Sequence, residues 1–111
     1  LNTVQMSDST VRAVKEGMHN LTTGSLSYYF SKCVVSAGAK TGTAETGINN
    51  TNNGVFVCFA PYDDPQIAVA VVIEKGGSGA ALASTAVDIV NSYFSQEEIG
   101  AVIIGENTLL K

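Results

Sequence analysis

A helix is predicted over residues 7–24, because apolar side chains there recur at steps of three and four and form one stripe. The residues of this stripe are Val11, Val14, Met18 and Leu21. Either Ser7 or Asp8 can cap the start of the helix, since the side-chain oxygen of each can accept a backbone hydrogen bond. Gly24 is free to adopt a positive φ and is the predicted end. Residues 25–35 show no clean period, which predicts a loop with a short helical or extended piece.

Three strands are predicted in the middle of the chain. The first lies within residues 34–45, which are rich in Thr, Ala and Gly, and the second is Gly54–Ala60. The third, Ile67–Glu74, is a nearly continuous β-branched run and is therefore predicted to be buried on both faces. The connections, residues 46–53 and 61–66, consist of turn-forming residues and are short. Short connections favour an antiparallel meander.

A second long helix is predicted from about Ala80 to Phe94, with Ser78 as its cap. Its apolar face consists of Leu82, Ala86, Ile89 or Val90, and Tyr93. The glycine-rich run 75–79 before it lacks the spacing of a phosphate-binding loop and is predicted to be a plain helix start. The apolar run Ala101–Ile104, framed by two glycines, is predicted to be an added strand. The fold class is therefore α+β, an antiparallel three-stranded meander flanked by N- and C-terminal helices.

The composition excludes several kinds of protein. Of the 111 residues, 45% are hydrophobic and 14% are charged, which excludes a disordered acidic segment. The net charge is −4 and the six basic residues are scattered, so no nucleic-acid partner is expected. One histidine and two isolated cysteines cannot build a metal site, so neither a metal nor a cofactor is predicted. The chain opens at Leu1 without a Met or a signal peptide, and this start predicts a piece of a larger protein.

The cysteines and the histidine are predicted to have no chemical role. If the first hairpin is centred near residues 49–50, Cys58 pairs with about Thr41. Cys33 then lies ~26 Å away along the neighbouring strand. A disulfide needs Cα atoms within ~7 Å of each other, so both thiols are predicted to be free. His19 lies off the apolar stripe and is predicted to be an ordinary surface histidine.

The stretch Ser36–Glu45, SAGAKTGTAE, carries the candidate chemistry. Lys40 is flanked by small residues, and Gly42 allows a backbone or a ligand to approach the strand. Thr41 and Thr43 add two hydroxyls. A cation, two hydroxyls and an unencumbered strand edge suit an extended, peptide-like ligand that ends in a carboxylate. Because side chains alternate along a strand, the lysine and the threonines face opposite sides, and one ligand can contact them all by lying along the edge.

A bare Lys-Thr-Gly triplet is most often a plain strand with a surface lysine. Here the triplet extends to KTGTAE and is followed by two strands and a helix, and in this context it resembles the third motif of the penicillin-binding proteins, the D,D-transpeptidases that cross-link peptidoglycan. The resemblance includes the helix DSTVRAVKEGM and the strand pair GVFVCFAPYDDPQIAVAVVIE. It implies that residues 1–95 are the C-terminal part of a transpeptidase domain, a partial penicillin-binding or β-lactamase-like fold, and that residues 96–111 are a tail. One departure is Gly38-Ala39, where the family commonly has Ala-Gly.

The resemblance also implies roles for the residues of the motif. In the family a serine attacks the D-Ala-D-Ala carbonyl and forms an acyl-enzyme. Lys40 would supply positive charge to the proton relay and to the substrate carboxylate. The hydroxyls of Thr41 and Thr43 would bind that carboxylate beside Gly42, and the backbone N–H of Thr43 would form one half of the oxyanion hole. The implied catalytic residues are thus Lys40 and Thr43.

Two family motifs are missing, since no serine is followed by Lys three residues later and no Ser-x-Asn occurs. The chain is therefore expected to form one wall of an active site, and its expected partner is the missing N-terminal part of the domain. The implied ligands are the peptidoglycan stem peptide and β-lactams. The implied location is the outer face of the cytoplasmic membrane, with the anchor upstream and absent from this chain.

Two other interpretations remain open, a fragment of a serine β-lactamase and a non-catalytic binding module that retains the fold. One consequence concerns the strand Ile67–Ile73, which in the family pairs on its far side with an N-terminal strand. An unpaired apolar edge invites association. This edge is therefore predicted to be covered by Ala101–Ile104 or by another copy of the chain.

Overall fold

The structure, a computed structural model, describes residues 2–48 and 51–105 and confirms the predicted α+β class. Two helices precede three strands, and a 3₁₀ turn leads into a long last helix. The helices are α1 (Asp8–Thr23), α2 (Ser27–Phe30) and α3 (Ala83–Gly105), the strands are β1 (Gly38–Ala44), β2 (Asn53–Ala60) and β3 (Ile67–Ile73), and the 3₁₀ turn is Gly79–Leu82.

Helix α1 begins as predicted, with Ser7 as its cap. The side-chain oxygen of Ser7 accepts a hydrogen bond from the backbone N–H of Thr10 at 3.3 Å. At the other end, Gly24 has a φ of −101°, so the predicted positive φ is wrong. Glycine is suited to this position for a different reason, because a Cβ there would lie 2.7 Å from the carbonyl oxygen of Asn20. That oxygen accepts the backbone N–H of Gly24 at 2.9 Å.

The three strands form one antiparallel sheet in the order β1-β2-β3, which confirms the meander. The first strand begins at Gly38, later than predicted. Cys58 pairs with Ala39, and Thr41 pairs with Phe56. The predicted pairing of Cys58 with Thr41 is therefore wrong by two residues. A slip of two leaves every side chain on its predicted face, and the predicted hairpin centre, residues 49–50, lies outside the described residues.

The core lies between one face of the sheet and the elements α2, α3 and the 3₁₀ turn. Its buried apolar residues are Leu26, Phe30, Ala37, Ala39, Phe56, Cys58, Ala60, Val69, Leu82, Ala83, Ala86, Val87 and Val90. In β3, Val69 faces this core, whereas Ala68, Ala70 and Val72 are exposed. The predicted burial of β3 on both faces is therefore wrong, because the described residues cover one face of this strand and leave the other open. In α3, Val90 rather than Ile89 belongs to the core.

The C-terminal part of the chain is helical throughout its described length. Ser78 caps the 3₁₀ turn as predicted, and its side-chain oxygen accepts the backbone N–H of Ala80 at 3.2 Å. Helix α3 continues to Gly105, so the predicted strand at Ala101–Ile104 is wrong, and this segment does not pair with the free edge of β3. A short apolar run fits either a strand or a buried helix, and here the helix simply continues past Phe94. A boundary between residues 95 and 96 stays a prediction.

Both cysteines are free, as predicted, but their placement differs from the expectation. Cys33 follows α2 instead of lying on a strand, and its backbone N–H donates to the carbonyl of Phe30 at 3.0 Å. Its side chain packs against the core that contains Cys58. The predicted separation of ~26 Å is therefore wrong, because it assumed that Cys33 lies on the strand beside Cys58.

Replacing Phe56 by alanine is expected to lower the free energy of unfolding by about 3–5 kcal/mol. The ring of Phe56 is fully buried and stacks on that of Phe30, with the ring centroids 6.3 Å apart. Urea unfolding of the chain measures the loss. The matched control is Val72→Ala, because Val72 is 61% exposed and should change the free energy by no more than about 0.5 kcal/mol. Equal losses in both variants would contradict the placement of the core.

Candidate active site

Strand β1 lies at an edge of the sheet and pairs only with β2 among the described residues. In an antiparallel pair, alternate residues direct their backbone groups at the neighbouring strand. The remaining N–H and C=O groups of an edge strand face outward, where another extended chain can add to the sheet. The free edge of β1 can therefore bind a peptide through its backbone.

The register separates the four predicted site residues onto two faces, as expected from strand alternation. Lys40 lies opposite Val57, on the face away from the core, and it is exposed. Thr41 lies opposite Phe56, on the core face, and it is half-buried. Gly42 shares the face of Lys40, and Thr43, which is exposed, shares that of Thr41. The structure thus brings all four together along one strand without bringing their side chains to one face.

The side chain of Lys40 folds against the backbone of its own strand. Its Nζ donates a hydrogen bond to the carbonyl oxygen of Thr41. The same two residues and Ala39 form one wall of a groove of about 410 Å³, whose other wall is α1. The α1 residues that line this groove are Val14, Gly17, Met18 and Leu21. Lys40 therefore lies beside a groove with an apolar far wall, which includes most of the predicted stripe of α1.

The start of β1 is fastened to α1 by two side chains that bind one carbonyl. The hydroxyl of Thr22 donates to the carbonyl oxygen of Ala37 at 2.7 Å, and Nδ1 of His19 lies 3.1 Å from the same oxygen. The ring of His19 also stacks on that of Tyr62, with centroids 4.3 Å apart. The backbone N–H of Tyr62 donates to the carbonyl of Ser36 at 2.9 Å. The prediction of an ordinary surface histidine is therefore wrong, because His19 helps to place the strand that carries the motif.

The sequence reasoning did not find Thr22 and Tyr62 as partners of this strand. Each lies more than ten residues from the carbonyl that it helps to fix, and no spacing rule connects them. The only hint is that the hydroxyl of Thr22 can donate a hydrogen bond and that the ring of Tyr62 can stack on another ring.

Burial keeps the two cysteine thiols protonated. It raises the pKa of Cys58 to about 11, and the neighbouring Cys33 adds to the shift. It also raises the pKa of Cys33, against backbone hydrogen bonds that lower it. A reactive cysteine needs the opposite shift, so neither thiol has the character of a nucleophile. Within the described residues, no cluster of three or more His, Cys, Asp or Glu side chains could hold a metal ion.

Known proteins resemble this chain in both sequence and structure. The model of the penicillin binding protein transpeptidase domain matches residues 1–93. Penicillin-binding protein 2B of Streptococcus pneumoniae is 37% identical over 108 residues, which cover 84% of this chain and 15% of that protein. The peptidoglycan D,D-transpeptidase MrdA of Escherichia coli is 35% identical over 85 residues, which cover 61% of this chain and 13% of that protein.

The solved structure of penicillin-binding protein 2B from S. pneumoniae matches with a TM-score of 0.74 at 33% identity. The match covers 86% of this chain and 17% of the solved one. The α+β fold of this chain is thus shared with part of that penicillin-binding protein. The chain belongs to the penicillin-binding protein transpeptidase family. It spans only 13% to 15% of the length of the two curated relatives named above.

The raised pKa of Cys58 predicts a loss of stability in alkaline solution. The unfolded chain releases this proton near the ordinary pKa of 9.0, whereas the folded chain holds it until about pH 11. Between these values the unfolded state binds fewer protons, so the free energy of unfolding falls as the pH rises, and below pH 9 the contribution is fully present.

Urea unfolding at a series of alkaline pH values tests this expectation. The comparison that isolates the thiol is between the unmodified chain and Cys58→Ala. The variant is expected to lose less stability as the pH rises. An identical pH dependence for the two proteins would show that the thiol of Cys58 titrates as it does in the unfolded chain.

Proposed function

We propose that this chain supplies the Lys-Thr-Gly wall of a peptidoglycan D,D-transpeptidase active site. The nucleophilic serine would come from polypeptide outside these 111 residues, since no serine here is followed by Lys three residues later. The observation that carries the proposal is the position of Lys40 on a free strand edge beside a groove. Family membership and the similarity to D,D-transpeptidases support it.

The proposed ligand is the stem peptide that ends in D-Ala-D-Ala, and β-lactams would bind in its place. An extended peptide would lie along the free edge of β1 and hydrogen-bond to its outward backbone groups. Lys40 would attract the terminal carboxylate and provide positive charge to the proton relay. The exposed hydroxyl of Thr43 would contact the carboxylate, with the half-buried hydroxyl of Thr41 as its second contact.

The proposed chemistry is acyl transfer, in which negative charge develops on the carbonyl oxygen that the serine attacks. A backbone N–H that points at this oxygen stabilises the transition state, and losing one such donor typically costs about 2.7–4 kcal/mol. We assign this donor to Thr43. A neighbouring peptide amine would then attack the acyl-enzyme, release the serine and form the cross-link.

The proposed surroundings follow from this reaction. The partner of the chain would be the rest of the transpeptidase domain, and its place of action the outer face of the cytoplasmic membrane, where peptidoglycan is built. Within residues 2–48 and 51–105, no helix combines the length and the hydropathy that crossing a membrane requires.

Replacing Lys40 by alanine is expected to slow acylation by a fluorescent penicillin. The experiment uses the full-length protein that contains this chain. A hydrogen bond to a charged group contributes about 1.5–3 kcal/mol, so the second-order rate constant should fall roughly 10- to 100-fold.

The matched control is Lys32→Ala, because Lys32 is also an exposed lysine but lies after α2, over the ring of Tyr28 at 4.9 Å. This control should acylate at the unmodified rate. Equal rates for the unmodified protein and Lys40→Ala would contradict the role assigned to Lys40. Steady turnover of a chromogenic β-lactam, in place of a stable acyl-enzyme, would instead identify a serine β-lactamase.

A further inference from the structure

The 3₁₀ turn lies directly against the backbone of β1, on the core face of the strand at the Lys-Thr-Gly run. A Cβ built on Gly79 would overlap the carbonyl oxygens of Gly42 and Val55, and it would lie 3.1 Å from the backbone nitrogen of Gly42. These neighbours are backbone atoms of two paired strands, so no side-chain rotation can make room. Position 79 therefore tolerates no side chain unless the strand or the turn moves.

The loop that carries Gly79 is fastened on both sides of it. Before it, the backbone N–H of Lys75 donates to the side-chain oxygen of Asn53 at 3.0 Å, and the N–H of Gly77 donates to the carbonyl of Asn52 at 3.1 Å. After it, Leu82 is buried in the core. The turn cannot easily retreat from the sheet, so a side chain at position 79 would push on β1 instead.

β1 has few other supports at this point. Among the described residues, β2 is its only strand partner, and the proposed ligand would lie along its other edge. The hydrogen bonds to Ala37 fix only its beginning. At Gly42, the contact with Gly79 is what limits movement of the strand toward the core face.

We infer that Gly79 is a positioning residue, which holds β1 at Gly42 so that the N–H of Thr43 points at the developing oxyanion. This inference rests on the proposed function, because it assumes that Thr43 donates to the reacting carbonyl. Gly79 itself contacts no ligand and acts only through the backbone of the strand.

The test is Gly79→Ala in the full-length protein, with acylation by a fluorescent penicillin followed by stopped flow. Displacing a catalytic group by about 1 Å can cost on the order of 100-fold in rate. The rate constant of the acylation step at saturating penicillin should therefore fall roughly 10- to 100-fold. The apparent dissociation constant should change far less, because Lys40 stays in place to attract the carboxylate.

The matched control is Val90→Ala, which removes a fully buried core side chain from α3, outside the turn. This variant should lose thermal stability, yet its folded fraction should acylate at the unmodified rate. The labelled amplitude reports the folded fraction, and the rate constant reports the geometry of the site. A Gly79→Ala protein with reduced amplitude and an unchanged rate constant would overturn the inference.

A milder variant keeps the test decisive if Gly79→Ala does not fold. A Cβ on Gly54 would lie 3.3 Å from the carbonyl oxygen of Ser78, so Gly54→Ala shifts the turn by only a few tenths of an ångström. Its acylation step should be slower than that of the unmodified protein. An unchanged rate constant in Gly54→Ala would count against positioning.

The Lys40→Ala variant separates this inference from the proposed function. Slow acylation by Lys40→Ala together with a normal rate constant in Gly79→Ala would reject the positioning role alone. Normal acylation by Lys40→Ala would reject the proposed role of the lysine, whatever the behaviour of Gly79→Ala.

Discussion

The structure depends on one constraint, that β1 must be held firmly while one of its edges stays unpaired. An edge strand with free backbone groups is normally a liability, because any extended chain can pair with it. Here three contacts fix the strand from other directions. The hydroxyl of Thr22 fixes the carbonyl of Ala37, directly before the strand. β2 pairs along the length of the strand, and Gly79 supports it from the core face at Gly42. Among the described residues, none of the three covers the outer edge of the strand.

Small residues occupy positions 38, 39 and 42 of the motif for different physical reasons. A Cβ on Gly38 would lie 2.6 Å from the ring of Phe59 and 3.2 Å from Cβ of Met18, so a side chain there would have to displace that ring. Ala39 is fully buried, and a larger side chain would overfill the core. A Cβ on Gly42, by contrast, would meet only Val55 at an ordinary 3.7 Å. The chain's own side chains do not require glycine at position 42, which leaves close approach of a ligand as the better explanation for it.

Local patterns predicted much of the fold, because each element follows from its own residues. The periodic stripe predicted α1, and the β-branched runs predicted β2 and β3. The failures concern relations between elements. The continuous apolar run of β3 predicted two covered faces, yet Val72 is 61% exposed. An apolar run indicates which faces of a strand are favourably buried. It does not indicate whether the described residues of the same chain cover both faces.

The placement of the candidate site residues was predicted in part for the same reason. The run KTGTAE predicted that Lys40 and the two threonines share one strand, with the lysine and the threonines on opposite faces, and the register agrees. The contacts that hold the run in place were missed. His19 binds the carbonyl of a residue 18 positions away. Gly79 lies against the backbone of Gly42, although β2 and β3 separate the two residues in the sequence. These contacts depend on how closely backbones approach each other, which no spacing of residue types encodes.

The two-sided arrangement of the motif argues for the shape of the ligand. Lys40 faces away from the core and Thr43 shares the opposite face, so a compact ligand on either face could contact only one of them. An extended ligand along the free edge can reach the lysine from one side and the threonine from the other, while its own backbone pairs with the strand. The apolar wall that α1 presents across the groove adds a surface for small side chains such as the methyl groups of alanine. Charge, edge and groove thus favour the same ligand, a short extended peptide with a carboxylate at its end.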